Sequence, residues 1–202
     1  VADDLIETAP GANTEPPVLL LQGTGGTNTE MLNFGRRLAP QSPLITIAGR
    51  CGTGAERQYY RQTAAGPVDA EQVAAAAQWL GAEVTRICRQ HRWVIDELVT
   101  VGYSNGAAMA AYGIRTGDLP GQCALLFHPL WLATPQRVQR QNYLAWLSAG
   151  QRDPLVTVDT VAQVATDCEK SGVHTTLFQT GGSHMLTSQE VAAAKDWLSE
   201  NN

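Results

Sequence analysis

The sequence predicts an α/β domain: a doubly wound, mostly parallel sheet with helices on both faces. Three observations carry this. Short apolar runs alternate with helical patterns along the chain, the arrangement that builds strand–helix–strand units. Several of the runs, such as Val18–Leu21 and Ala124–Phe127, are apolar at every position, as strands are when helices cover both sides of a sheet. The 202 residues, 44% hydrophobic and 16% charged, fit a single domain over 1–202 with a core of its own.

Val18–Leu21 follows Pro16 and Pro17 and stops at Gly23; Leu44–Ala48 stops at Gly49. Leu98–Gly102, Cys123–Phe127, Tyr143–Ala149 and Val173–Gln179 continue the strand series. Between them, Asp69–His91 carries Val73, Ala77, Leu80, Val84 and Ile87 at a period near 3.6. Val158, Val161, Ala165 and Cys168 repeat that spacing, and Val191, Ala194 and Leu198 do so near the end. Two irregular stretches remain, 49–68 and 128–141, and no separate lid domain fits between the strands. In open α/β sheets ligands bind outside the carboxyl ends of the strands, so the residues that follow each strand are the place to look for chemistry.

Composition removes several classes of function. Fourteen basic against nineteen acidic residues, net −5, argue against a nucleic-acid partner. No apolar run nears the roughly 18 residues that cross a bilayer. The opening Val-Ala-Asp-Asp lacks the basic and apolar segments of a secretory signal, so a cytoplasmic location is expected unless a leader has already been removed. Cys51, Cys88, Cys123 and Cys168 are scattered and are expected to be free thiols, Cys123 and Cys168 in the core. No His/Cys/Asp group has metal-ligand spacing, and neither metal nor cofactor is expected. One anomaly is left: 19 glycines, about a tenth of the chain, fall in clusters.

The most informative cluster is G-Y-S-N-G at 102–106, between an apolar strand and an alanine-rich helical run. A nucleophilic serine at a sharp strand-to-helix turn needs small neighbours, which Gly102 and Gly106 supply, and the helix start beneath Ser104 favours developing negative charge. A serine hydroxyl is a weak nucleophile and needs a base, which in turn needs an orienting acid. Behind a strand-to-helix serine these follow in the order acid, then histidine. Of the four histidines, His91 precedes Ser104, His128 has no convincing acid before it, and His174 begins a strand. His184 follows the last strand in G-G-S-H-M-L, a loop with freedom to carry an imidazole over the sheet edge. Asp153, in G-Q-R-D-P after the preceding strand, is the acid; Asp159 and Asp167 fall within a helical pattern. An acyl-transfer oxyanion wants two backbone amides. One is that of Asn105, the other that of Thr24 in the loop L-Q-G-T-G-G at 21–26. That loop lacks the G-K-S/T ending of a phosphate loop and a full dinucleotide fingerprint.

With these residues assembled, the chain resembles the α/β-hydrolase superfamily. Within it, the chain resembles the small carboxylesterase/phospholipase group that includes the acyl-protein thioesterases, and most of all its bacterial hydroquinone-resistance-type esterases. The likeness runs from about Val18 to Leu198. It rests on L-Q-G-T-G-G, R-Q-Y-Y-R at 57–61, G-Y-S-N-G, F-H-P-L at 127–130, G-Q-R-D-P-L-V at 150–156 and S-H-M-L at 183–186. It implies an α/β-hydrolase fold, the triad Ser104, Asp153 and His184, and oxyanion amides on Thr24 and Asn105. It also implies short- to medium-chain or aryl carboxylic esters as substrates, and a homodimer, for which no sequence feature speaks. The group's usual His-Gly in the early loop is Gln22-Gly23 here, a side chain expected to support the loop by hydrogen bonds. Gln22, Tyr59, Tyr60, His128 and Trp131 are expected to line the pocket, with Arg57 and Arg61 at its entrance and Leu132 on its far wall. Other readings stay open: a thioesterase, lysophospholipase or lactone hydrolase on the same scaffold, or a non-catalytic small-molecule binding module, whose only support is Gln22.

Overall fold

The computed structural model describes residues 5–62, 68–134 and 137–201. Seven strands form one sheet: β1 (Ile6–Ala9), β2 (Val18–Leu21), β3 (Leu44–Ile47), β4 (Val99–Tyr103), β5 (Cys123–Phe127), β6 (Tyr143–Gly150) and β7 (Val173–Thr180), in the order β1-β3-β2-β4-β5-β6-β7. Only the edge pair β1–β3 is antiparallel. Five α-helices are described: α1 (Asn28–Leu38), α2 (Ala70–His91), α3 (Asn105–Thr116), α4 (Val158–Glu169) and α5 (Ser188–Asn201).

Alternation along each strand sorts the core into two layers. Leu19, Leu21, Ala124 and Leu126 face α2, α3 and α4; Val18, Leu20, Cys123, Leu125 and Phe127 face α1 and α5. Both faces are therefore covered, and β2, β3 and β5 are buried at every position. This is the physical reason these strands read as unbroken apolar runs. None of the helices is long and apolar enough to cross a membrane.

Topology places the site. From β2 the chain runs through α1 to β3 on one side; from β4 it runs through α3 to β5 on the other. The neighbours β2 and β4 thus form the switch point of the sheet, where a crevice opens at their carboxyl ends. The loop 22–27 and Ser104 leave the sheet there.

Two elements lie outside what the sequence led us to expect. β1 has no buried residue and pairs along one side only, so it lacks the apolar run of a central strand. α1 is opened by Thr27, whose hydroxyl accepts from the Glu30 amide while the Glu30 carboxylate accepts from the Thr27 amide. That Thr-x-x-Glu signature, followed by Met31, Phe34 and Leu38, was present in the sequence as a helix start. The glycines of 49–66 have a steric role at Gly49, where a Cβ would lie 2.2 Å from the Gln58 carbonyl carbon and oxygen. The chain folds back there, and Cys51 pairs with Gln58. Gly66 lies outside the described residues.

Candidate active site

Ser104 sits between β4 and α3 with φ +52° and ψ −114°, a conformation an L-residue holds only under constraint. Its amide donates to the Phe127 carbonyl, which pins the turn to β5. The turn is possible because Gly106 lets α3 approach β2: a Cβ there would be 2.4 Å from the carbonyl oxygens of Leu21 and Gln22. The serine hydroxyl is thereby lifted off the sheet and stays partly exposed.

His184, in the loop after β7, approaches from the side. Its Nε2 lies 2.9 Å from Ser104 Oγ and its Nδ1 2.7 Å from Asp153 Oδ2. Tyr103 steadies the histidine: its hydroxyl donates to the His184 carbonyl at 2.9 Å, and the ring centres are 5.4 Å apart. Asp153 follows β6 and is buried. Its Oδ1 accepts from the amides of Leu155 and Val156 at 2.8 and 2.9 Å. Burial works against its charge, yet the hydrogen bonds from His184, Val156 and Leu155 prevail and hold its carboxyl below the usual range. Three residues far apart in sequence thus form one hydrogen-bonded chain.

Thr24 is on the cleft wall beside Ser104, and Asn105 opens α3. Among the described residues neither amide has a backbone acceptor. The cleft measures about 710 Å³ and is lined by Thr24, Cys51, Gly52, Ala55, Glu56, Gln58, Arg61, Gln62, Tyr103, Ser104, Leu130, Leu155, Val156 and His184. On its wall, Leu155 is 69% exposed, so the mouth offers an apolar edge to a ligand.

Several pocket expectations are corrected. Gln22 is buried, and neither polar atom of its side chain has a partner among the described residues. The loop is held through the backbone instead: the Gln22 amide donates to Tyr59 Oη at 3.0 Å, and Tyr59 Oη donates to the Ile47 carbonyl at 2.6 Å. Gly25 adds a bond from its amide to the Arg57 carbonyl. Tyr59 is therefore a buried tie between the ends of β2 and β3, and it borders a smaller hollow beside Arg50 and Trp79. Tyr60 is buried in the core. Trp131 turns toward α4, its Nε1 donating to Asp167 Oδ2 at 2.8 Å, and Leu132 packs in the core, leaving Leu130 as the wall. Arg61 does line the cleft, whereas Arg57 reaches the Gly49 carbonyl. His128 lies behind Asp153, wholly buried.

Tyr59→Phe is expected to leave the Gln22 amide without its acceptor and the Ile47 carbonyl without its donor. We expect a loss of about 1–3 kcal/mol in stability, read by urea unfolding. An unchanged midpoint would contradict the tie.

Cys88, Cys123 and Cys168 are buried free thiols, and Cys51 is half-buried on the cleft wall. Although no metal-ligand spacing shows in the sequence, folding brings donor atoms of His128, Asp153 and His184 within 4.8 Å of one another. Each of these residues is already engaged in the hydrogen bonds of one cluster: Asp153 Oδ2 meets Nδ1 of His184 at 2.7 Å and Nδ1 of His128 at 3.0 Å. Glu190 completes that cluster, and contact with His128 holds its carboxyl below the usual range against the effect of burial. Carboxyls depressed in the folded state stabilise it above their unfolded pKa of about 4 and cease to do so as pH falls through the lower folded values. Tm is therefore expected to fall as pH drops below about 4; a flat Tm between about pH 5.5 and 3 would contradict these contacts.

No protein-family model matches the sequence. The chain is 26% identical over 187 residues to "Putative hydrolase MhqD" of Bacillus subtilis, covering 91% of this chain and 92% of that protein. Among solved structures it superposes on YahD with malic acid at a TM-score of 0.91, with 27% identity over 98% of both chains. It superposes on the Bacillus cereus carboxylesterase, also at 0.91, with 23% identity over 98% of this chain and 94% of that one. Arabidopsis thaliana SOBER1 follows at 0.76 and 14%, over 92% and 98%. The chain has the α/β-hydrolase fold, and its likeness to a putative hydrolase supports a hydrolase.

Proposed function

We propose that this α/β-hydrolase-fold protein is a serine carboxylesterase acting on short- to medium-chain or aryl esters. One observation carries the reading: the unbroken contact chain Ser104 Oγ–His184 Nε2 and His184 Nδ1–Asp153 Oδ2 at the floor of an open cleft. Ser104 Oγ attacks the ester carbonyl carbon as His184 Nε2 takes its proton. Asp153 holds Nδ1 and stabilises the imidazolium. The amides of Thr24 and Asn105 stabilise the tetrahedral oxyanion, a contribution of about a hundred- to thousandfold per donor. His184 returns the proton to the leaving alkoxide, giving an acyl-Ser104 ester, and then draws a proton from the water that hydrolyses it.

The cleft supports the substrate class. Leu130, Leu155 and Val156 give the acyl or aryl group an apolar wall beside Ser104. A fluorophosphonate is expected to label Ser104, and turnover of p-nitrophenyl esters is expected to exceed that of matched thioesters and lactones. Failure to label, with turnover intact, would overturn the serine mechanism; faster thioester or lactone turnover would overturn the substrate class.

A further inference from the structure

His128 and Glu190 lie behind the proposed triad, and the triad is complete without them. His128 follows β5 with φ +49°, a left-handed conformation that for a non-glycine residue needs support from its surroundings. Its side chain and that of Glu190 are wholly buried. Its Nδ1 is 3.0 Å from Asp153 Oδ2, and its Nε2 is 2.8 Å from Glu190 Oε1. The remaining carboxylate oxygens are occupied. Glu190 Oε2 accepts from the amide and hydroxyl of Thr187 at 3.0 and 2.9 Å, and Asp153 Oδ1 accepts from Leu155 and Val156.

Proton counting restricts the states open to this group. Two imidazole–carboxylate hydrogen bonds need two protons, and a neutral imidazole brings one. The trio therefore holds one proton more than a neutral histidine between two carboxylates would. An imidazolium between two carboxylates and a neutral imidazole beside one protonated carboxyl both meet that requirement with a net charge of −1; the carboxyls, held below their usual range, favour the imidazolium. Burial pulls against the charged ring, but the hydrogen bond and charge of Glu190, then those of Asp153, outweigh it and raise the His128 pKa above the ordinary histidine value. Besides Asp153 after β6 and Glu190 on α5, the titratable rings facing His128 are His184 after β7, at 5.3 Å between centres, and Tyr103 of β4, edge-on at 6.3 Å.

We propose that His128, held as an imidazolium by Glu190, is a positioning residue for the esterase reaction: it is the second N–H donor to Asp153 Oδ2 and limits how strongly that carboxylate draws a proton onto His184. The inference rests on the reading of Ser104, His184 and Asp153 as the triad. Its consequence is electrostatic. Removing the cation leaves two carboxylates uncompensated near His184, so protonated His184 becomes more favourable and the acid limb of kcat/KM moves to higher pH. Removing Glu190's charge as well restores the balance.

The test combines two readouts. In protein carrying ¹⁵N-labelled histidine, both His128 ring nitrogens are expected to keep the protonated signature above the ordinary histidine pKa near 6.5. In activity, His128→Asn is expected to lower kcat and move the acid limb up by about one pH unit. The double variant His128→Asn/Glu190→Gln is expected to return the limb to its original position. An unprotonated ring nitrogen on His128 would overturn the inference, as would a lowered kcat with an unmoved limb. If the variants do not fold, the resonances of the unaltered protein still decide the matter. If Ser104 does not react with a fluorophosphonate, the triad reading fails; an unprotonated His128 nitrogen beside a reactive Ser104 overturns this inference alone.

Discussion

Ser104→Ala is expected to lower kcat for p-nitrophenyl acetate by about a millionfold, leaving the modest catalysis that oxyanion donors and binding provide without a nucleophile. The expectation follows from the division of labour in the site. Ser104 Oγ is the hydrogen-bond partner of His184 Nε2 among the described residues, so the proposed base has nothing to activate once the hydroxyl is gone. The fold should be untouched, because the turn is held by the Ser104 amide and by the close approach of α3, not by the hydroxyl. Initial rates beside a thermal melt check both halves. A rate within tenfold of the unaltered protein would place the nucleophile elsewhere.

Gly106→Ala is expected to be damaging through the backbone. The new Cβ would lie 2.4 Å from the carbonyl oxygens of Leu21 and Gln22, and neither is free to swing aside, because Leu21 is paired with Gly102 of β4 and the Gln22 amide is tied to Tyr59 Oη. Either α3 lifts or the end of β2 retreats. We expect a loss of about 3 kcal/mol or more in stability, in the range of severe overpacking. Any folded fraction should lose at least about a hundredfold in kcat/KM, because Thr24 follows β2 and Asn105 opens α3, and the shift separates the two amides. Gly181→Ala is the control: a Cβ there meets nothing within 4 Å, and the effect should stay within about 0.5 kcal/mol. Equal stabilities for the two variants would show that the α3–β2 approach carries no strain.

The contrast between these glycines shows what the sequence could and could not convey. Gly102 and Gly106 were legible because a strand, a serine and a helical run framed them, so the need for close approach could be inferred from local pattern. Gly181 and Gly182 suggested a freed histidine loop, yet Gly181 stands in open space and Gly182 is crowded by Thr180 and Thr187. The sheet followed the same rule. Strands covered on both faces announce themselves as apolar runs, whereas β1, an exposed edge, does not. Chain order and the loops that follow strands singled out Ser104, Asp153 and His184, the residues proposed as the triad, and the fold brings their side chains together. The pocket wall was not, because whether Tyr59 faces a ligand or ties two strands depends on a hydrogen bond across 37 residues to the Gln22 amide. His128 was placed near the site by the family resemblance, but its partner Glu190 lies 62 residues away on α5, with no local pattern to connect them.

Rapid acid quenching during turnover of p-nitrophenyl acetate, followed by peptide mass spectrometry, locates the transferred acyl group. The expected result is a burst of p-nitrophenol with acetyl on the peptide that carries Ser104. Turnover with acetyl on Cys51, a thiol on the cleft wall, and with Ser104 unmodified would contradict the serine mechanism.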